Sequence, residues 1–487
     1  MAGAGILLGL GANSRVHADP WLAPGNAALR HDIQLLADAG VIRSPVTTWP
    51  LSWPDISEDL ARAPLEEAVS PALSQALMRV GALARRASRN GFSGWEAEAA
   101  ASEKPVSLRG FDDVPREEGE VGVQGSWLSG RWSANLAVTA VADASDGRNV
   151  RLDGSYVGFA AGNVVVSFGA LDRWWGPGWE GSLILSTNAR PMPAISIERN
   201  HADAFKLPVL RWLGPWRATV FMAQGQHHDV AVADTRFFGA RVNFRPRPWI
   251  EAGLSRSAQW CGRDRPCDLE TFGDLLIGRD NRNESLTIAE EPGNQMAGYD
   301  LRVRSPWKRL PAAVYSQFIG EDEAGGLPSR LLGLFGLESW GESQWGAYRV
   351  HAEYANTSCN FSREQPRLNC AYRNTLYPQG YSYHGRIIGH ALDSDGRMTS
   401  VGVLLMPSSS ASVSLLLRRV ELNVDDEPVP GAPPTYATRD ALKNVELQYN
   451  RAFARGALGV GLGVDDYDGP THFGSRARAF IQWRQGF

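Results

Sequence analysis

Phe238-Gly239-Ala240-Arg241-Val242-Asn243-Phe244-Arg245 decides the fold: every second residue is apolar, and the residues between are small, polar or charged. A period of two belongs to a β-strand whose faces meet different surroundings. The alternation returns in Tyr299, Leu301 and Val303 against Asp300, Arg302 and Arg304. It returns again in Tyr348, Val350, Ala352 and Tyr354 against Arg349, His351 and Glu353, and in Val445, Leu447 and Tyr449 against Asn444, Glu446, Gln448 and Asn450. About eighteen such segments of roughly nine to eleven residues follow Glu120, the length a tilted strand needs to cross a bilayer. The β region is therefore expected over 121–487, with 91–120, polar and aperiodic, as a linker.

An antiparallel sheet half exposed to water alternates in the same way. Three features favour an all-β transmembrane β-barrel of antiparallel strands over a secreted sandwich or propeller. Full charges recur on the polar face of strand after strand, as suits a polar lumen. Phe244, Tyr354 and Trp483 lie at the ends of apolar faces, where an aromatic girdle sits. The final segment puts Ala479, Ile481 and Trp483 on one face and ends on Phe487, like the terminal strand of outer-membrane barrels.

Composition agrees. The chain has 487 residues, 43% apolar and 21% charged, with 51 Gly, 17 Trp and a net charge of −4. That balance supplies no basic field for nucleic acid, and no apolar run reaches the roughly 18 residues of a membrane-spanning helix. The apolar residues are instead dealt singly to one face of many strands.

Upstream, Leu29, Ile33 and Leu36 share a face between Pro24 and Gly40, which predicts a helix ended by that glycine. Leu73, Leu77, Val80 and Leu83 predict a second, started by Ser70 as cap and Pro71 as first helical residue. Thr48 to Pro54, with two prolines, reads as an extended link anchored by Trp49 and Trp53. Together they make a small α-helical region over 19–90. Residues 1–18, with an apolar stretch from Ala4 to Leu10 and Val16-His17-Ala18 at their end, read as a signal peptide. In an exported protein the two local cysteine pairs, Cys261 with Cys267 and Cys359 with Cys370, predict two disulfide-closed loops. Neither pair has zinc-like spacing, and no metal or other cofactor is expected.

Three motifs carry a family resemblance. The first runs from Leu29-Arg30-His31-Asp32 through Gly40-Val41-Ile42 to Thr47-Thr48-Trp49-Pro50-Leu51. The second is Trp175-Gly176-Pro177-Gly178-Trp179 followed by Leu183-Ile184-Leu185-Ser186-Thr187-Asn188-Ala189-Arg190-Pro191, and the third is Tyr381-Ser382-Tyr383-His384-Gly385-Arg386-Ile387-Ile388-Gly389-His390. In content and order the chain resembles the Wzi-type capsule-assembly proteins of Gram-negative outer membranes. The resemblance implies an eighteen-stranded outer-membrane barrel with a small periplasmic helical bundle, acting as a lectin that ties capsular polysaccharide to the cell surface.

Aromatic rings suit the C–H faces of sugars, and planar polar groups suit their hydroxyls and carboxylates. Asp172, Arg173, Trp174, Trp175 and Trp179 supply that mixture on one Gly-Pro turn, Asn188, Arg190 and Arg199 follow, and Tyr381, Tyr383, Arg386 and His390 repeat it downstream. Each set also has a structural reading: indoles packing a loop into the barrel mouth, a lumenal ion-pair network including Glu198, girdle tyrosines, and a buried His390 satisfied by a carboxylate such as Asp393. Asp393-Ser394-Asp395-Gly396 lacks the register of a calcium loop and reads as a hairpin turn, as does Asp465-Asp466-Tyr467-Asp468-Gly469. Glu290-Glu291 and Asp425-Asp426 are adjacent on extended chain and so point apart, and no nucleophile, metallohydrolase or phosphate-loop motif is present.

The sequence thus predicts a non-catalytic outer-membrane lectin, monomeric, with capsular or extracellular polysaccharide and outer-membrane lipid as partners. Its lumen should be closed by inward loops and by N-terminal helices on the periplasmic side. An open porin or sugar channel is the alternative, and a glycan-modifying enzyme a third possibility.

Overall fold

The computed structural model describes residues 20–63, 70–276, 293–307, 309–324, 327–470 except 428–437, and 472–487. The expected signal peptide and Glu290-Glu291 lie outside them.

The alternating segments close into one antiparallel barrel of eighteen strands. They are β1 Gly91–Ser102, β2 Gly119–Ser129, β3 Trp132–Ala142, β4 in two pieces (Val150–Arg151 and Tyr156–Ala161), β5 Val164–Gly169 and β6 Ala194–Arg199. Then come β7 Trp216–Gln224, β8 Arg236–Arg247, β9 Ile250–Trp260, β10 Gly293–Arg304, β11 Ala312–Ala324 and β12 Leu327–Ser343. The series ends with β13 Gly346–Asn356, β14 Arg397–Ser408, β15 Ala411–Leu422, β16 Asp440–Ala452, β17 Gly456–Asp468 and β18 Phe473–Gly486. Sequential strands are neighbours throughout, and the ring closes where Phe480 through Gly486 pair with Ser102 through Glu96. One end carries tight turns such as 130–131, 162–163, 248–249, 344–345 and 409–410; the other carries long connections, 103–118, 170–193 and 357–396.

The wall is inverted relative to a water-soluble protein. Val121, Ile197, Val242, Leu254, Leu337 and Val445 are exposed, whereas Arg241, Asn243, Arg245, Glu338, Arg349 and Glu446 are buried. An apolar exterior around a charged interior is the arrangement a lipid environment selects.

The interior is filled. Helix α1 (Ala27–Asp38) starts at Asn26, whose side chain accepts from the Leu29 N–H at 2.8 Å, and gives way to Gly40 at φ +80°. With α2 (Trp53–Arg62) and α3 (Pro71–Ala87) it corks the short-turn end around Ile33, Leu36, Ile42, Trp49, Ile56 and Val80. Wall side chains hold this cork by its backbone and charges. Arg245 donates to the Ala37 and Ile42 carbonyls at 2.6 and 2.8 Å, and Arg302 forks onto Asp38 at 2.8 and 2.9 Å. Glu251 accepts from the Val46 and Thr47 N–H groups at 2.8 and 2.7 Å.

Three expectations about the elements need correction, and one helix is unforeseen. The stretch 91–120 is no linker: its first part is β1, where Ala97, Ala99 and Ala101 alternate with Glu96, Glu98 and Ala100, too small a contrast to register as a period. Thr48–Pro54 is extended only as far as Ser52, because Trp53-Pro54 opens α2; the Ser52 hydroxyl caps the Asp55 N–H at 3.3 Å, and proline is harmless in a first turn. A further helix, α4 (Leu269–Leu276), follows Cys267, with Asp268 accepting from the Thr271 N–H at 2.9 Å. Asp465 to Asp468 are not a turn but the end of β17, held in strand by Asn444 and Arg478, which donate to Asp465 at 2.6 and 3.0 Å. Both disulfides are formed, Cys261–Cys267 and Cys359–Cys370, on long-loop connections.

Candidate functional site

Connection 170–193 turns inward and forms the middle layer of the plug. Trp174 and Trp175 pair as a short strand with Trp49 and Thr48 of the helical region. Trp174 and Trp175 are 0% and 1% exposed. The Trp174 ring meets Phe111 edge-on at 5.3 Å, and Trp175 meets Phe221 of the wall at 5.5 Å. Trp179, also buried, donates from its indole to Glu338 at 2.9 Å and from its backbone N–H to Glu353 at 2.8 Å. Arg30 of α1 lies 4.2 Å over the Trp179 ring and donates to the Pro177 and Gly178 carbonyls. The three indoles therefore sit where packing anchors sit. Arg173 is equally internal, donating to the Ser196 hydroxyl at 2.6 Å and lying over Phe221.

Connection 357–396 lies on the outer side of this layer. Ser186 N–H donates to the Ile388 carbonyl, the Asn188 amide to the Ile387 carbonyl at 2.9 Å, and Arg386 to Asn188 Oδ1 at 3.2 Å. Tyr381 is fixed to Ser257 of the wall through its hydroxyl at 2.6 Å and stacks on Tyr372, so it is an internal strut and not a girdle residue. His390 is not satisfied by Asp393, whose carboxylate goes to Arg373 at 2.6 Å; instead His390 Nδ1 accepts from the Leu392 N–H at 3.2 Å. Burial pushes the His390 imidazole down to about 4, so it is neutral near pH 7. Its ring packs so closely on Gly181 that a Cβ there would meet Nε2 at 2.0 Å, which makes glycine obligatory at 181. Asp393 to Gly396 form turns leading into β14 and do not join two paired strands.

Part of the predicted set lies on the long-connection side of the plug. Arg190 is locked by Asp153 at 2.7 and 2.8 Å and by Asp146 at 2.5 Å. Its charge faces Tyr383 and His384, as does that of Arg148. Tyr383 and His384 meet edge-to-face at 4.3 Å, and the His384 backbone, at φ +48°, is held by Gln226 at 2.8 Å. Asn188, Arg190, Tyr383 and Arg386 are thus brought together, while Trp174, Trp175, Trp179, Arg173, Tyr381 and His390 lie beneath them. Arg199 is elsewhere, near the short-turn end, 4.0 Å over Trp216 and donating to the Asp203 carbonyl. Asp172 lines a 290 Å³ cavity between plug and wall, opposite Arg116 at 4.0 Å, and burial pushes its carboxyl up to about 6. Sequence reading missed Arg148, Asp146 and Asp153, which are ordinary turn residues until folding brings them to Arg190. Among the described residues no group of three or more His, Cys, Asp or Glu is arranged to hold a metal.

Asp112, on inward connection 103–118, accepts from the Ala27 N–H at 2.6 Å, tying that loop to the start of α1. Burial pushes its carboxyl up to about 7. An aspartate whose folded pKa exceeds the unfolded value of about 3.9 favours folding most below that value, and the benefit is lost as pH rises through about 7. Asp112→Asn keeps an acceptor for Ala27 without the titration. It is expected to flatten the fall in thermal midpoint between about pH 4 and pH 7. Tryptophan fluorescence of both proteins across that range checks this, and an unaltered slope would sink it.

Comparison with known proteins follows from this geometry. Residues 88–472 match the family described as capsule assembly protein Wzi. The chain is 32% identical over 456 residues to a 55.8 kDa protein of the cps region of Klebsiella pneumoniae, the match covering 92% of this chain and 85% of the other. It superposes with a TM-score of 0.82 and 26% identity on Wzi of Escherichia coli, covering 96% of this chain and 99% of that one. That protein is described as an outer-membrane, carbohydrate-binding β-barrel involved in group 1 capsule assembly. The Pseudomonas aeruginosa protein OccK5 matches at a TM-score of 0.43 and 11% identity over 82% of this chain and 98% of its own.

Proposed function

The chain belongs to the Wzi capsule assembly family, and on that premise we propose that it is a non-catalytic outer-membrane lectin that holds capsular or extracellular polysaccharide at the cell surface. The long loops face outward and the helical cork faces the periplasm, in keeping with the short periplasmic turns of outer-membrane barrels. The observation that carries the reading is the convergence of two inward loops into one platform: Arg148, Arg190, His384 and Arg386 toward its open side, Asn188 and Tyr383 buried among them, and Trp174, Trp175 and Trp179 as its base. An aromatic ring among guanidinium and amide groups is what a polyhydroxylated, partly acidic polymer requires. In this reading Asp172, Arg173, Tyr381 and His390 position the platform, and Arg199 serves the barrel's opposite end. The carboxylates of the platform, Asp146 and Asp153, hold arginine and are not a free acid–base pair.

Combined Arg148→Ala, Tyr383→Ala and His384→Ala is expected to weaken binding of capsular oligosaccharides roughly ten- to hundredfold, from about 1.5–3 kcal/mol for a lost charged hydrogen bond. Glycan-array and titration binding to the refolded barrel would show it. Undiminished binding by a variant with unaltered thermal unfolding refutes the platform.

A further inference from the structure

Arginines inside the barrel and at its short-turn end are treated differently. In the lumen, Arg151, Arg190, Arg241, Arg302, Arg349 and Arg418 each lie within 2.8 Å of a carboxylate. At the short-turn end Arg131, Arg211, Arg309 and Arg455 stand in the connections and Arg85, Arg86 and Arg89 at the close of α3; all are exposed, and none is ion-paired among the described residues. Connections 130–131, 162–163, 200–215, 248–249, 305–311, 344–345, 409–410 and 453–455 contain a single carboxylate, Asp203. Nearby Glu342, at the end of β12, caps the Ala72 N–H of α3 at 2.8 Å.

Large aromatic side chains accompany these cations. Trp132 adjoins Arg131 and Trp212 adjoins Arg211, while Trp307 and Phe453 stand two residues before Arg309 and Arg455. Trp132, Trp212, Trp307 and Trp345 are 51–70% exposed, far beyond what a side chain shielding a core would be. The opposite end lacks this segregation: exposed Arg148 shares its turn with Asp143, Arg263 adjoins Asp264, and the Arg439 backbone is held by Asp426.

Indoles settle at the boundary between hydrocarbon and headgroup, and unpaired guanidinium groups at that depth fork onto phosphate oxygens. An end whose connections are rich in cation and carry one carboxylate, whose cork carboxylates Glu58 and Asp59 are paired with Arg62 and Arg43, and which is ringed by indole is complementary to a phosphodiester surface. We infer that the short-turn rim is a binding surface for anionic glycerophospholipid, which fixes the height of the barrel in the leaflet that the helical cork faces. The inference rests on the membrane-embedded reading of the barrel and is independent of carbohydrate binding. Its readout is lipid retention by the protein alone, so the two can fail separately.

The full-length barrel is reconstituted in bilayers of phosphatidylcholine and phosphatidylglycerol in equal parts, extracted, and examined by native mass spectrometry. The wild type is expected to retain phosphatidylglycerol about tenfold over phosphatidylcholine. Combined R131Q, R211Q, R309Q and R455Q should abolish that preference, whereas R263Q with R439Q at the long-loop end should keep it. Equal retention of the two lipids by the wild type overturns the inference, as does an undiminished preference in the fourfold variant. Loss only in the long-loop variant also overturns it, and would place the anionic site on the face directed at lipid A phosphates.

Discussion

Glu338→Ala is expected to lower the unfolding free energy of the barrel by about 3–5 kcal/mol, the range for removing one partner of a buried charge cluster. Glu338 of β12 accepts from Arg302 at 2.7 Å, Arg349 at 2.7 Å and the Trp179 indole at 2.9 Å, and is 2% exposed. Arg302 keeps its fork on Asp38, so the loss falls on Arg349 and Trp179, whose guanidinium and indole N–H are left buried without that acceptor. The cluster joins wall, inward loop and helical cork, so its rupture should loosen all three. Chemical unfolding of the folded barrel, followed by tryptophan fluorescence, gives the number. A loss below about 1 kcal/mol, the worth of an exposed pair, would show that the centre of the plug is not dry.

The second large effect is on conductance. An eighteen-stranded wall leaves an aqueous channel unless something fills it. Here α1, the Trp174–Trp179 segment and the Tyr381–His390 segment fill it, so the intact protein is expected to be silent in planar bilayers. Replacing residues 173–190 by a short Gly-Ser turn, together with Arg302→Ala and Arg245→Ala to release the helical cork, should convert silence into a steady pore of porin size. A steady pore from the unaltered protein would favour the transport alternative over the lectin. Continued silence from a folded variant would show that 357–396 closes the lumen unaided.

Much of this was legible beforehand because lipid and lumen impose opposite demands on adjacent residues. Wherever the contrast was strong, as at Arg241-Val242-Asn243, the strand and the facing of its side chains could be read directly. Where side chains were small, as at Ala97, Ala99 and Ala101 of β1, the period vanished and a barrel strand passed for a linker. The capping serine at 70 and the glycine at 40 marked helix ends by local chemistry alone. The cap at Ser52 was masked by two prolines that suggested an extended link.

The platform was half legible. Its residue types stood out, since Trp175-Gly176-Pro177-Gly178-Trp179 and Tyr381-Ser382-Tyr383-His384 are improbable strings, but their depth was not encoded locally. An indole on a Gly-Pro turn has the same neighbours in sequence whether it faces a sugar or Phe111 and Phe221. Arg148, Asp146 and Asp153 carried no signal because their roles begin only when loops 143–149, 170–193 and 357–396 meet.

By itself, then, the sequence determined the alternating strands, their two faces, two of the N-terminal helices and the two disulfide loops, because each follows from period, capping or local pairing. Only the tertiary structure decided what the polar inner face is for. Arginines that could have lined a wet channel instead grip helix carbonyls, Asp38 and Glu338, since loops that fold into the lumen take the wall's charges out of water and each buried charge must then find a partner.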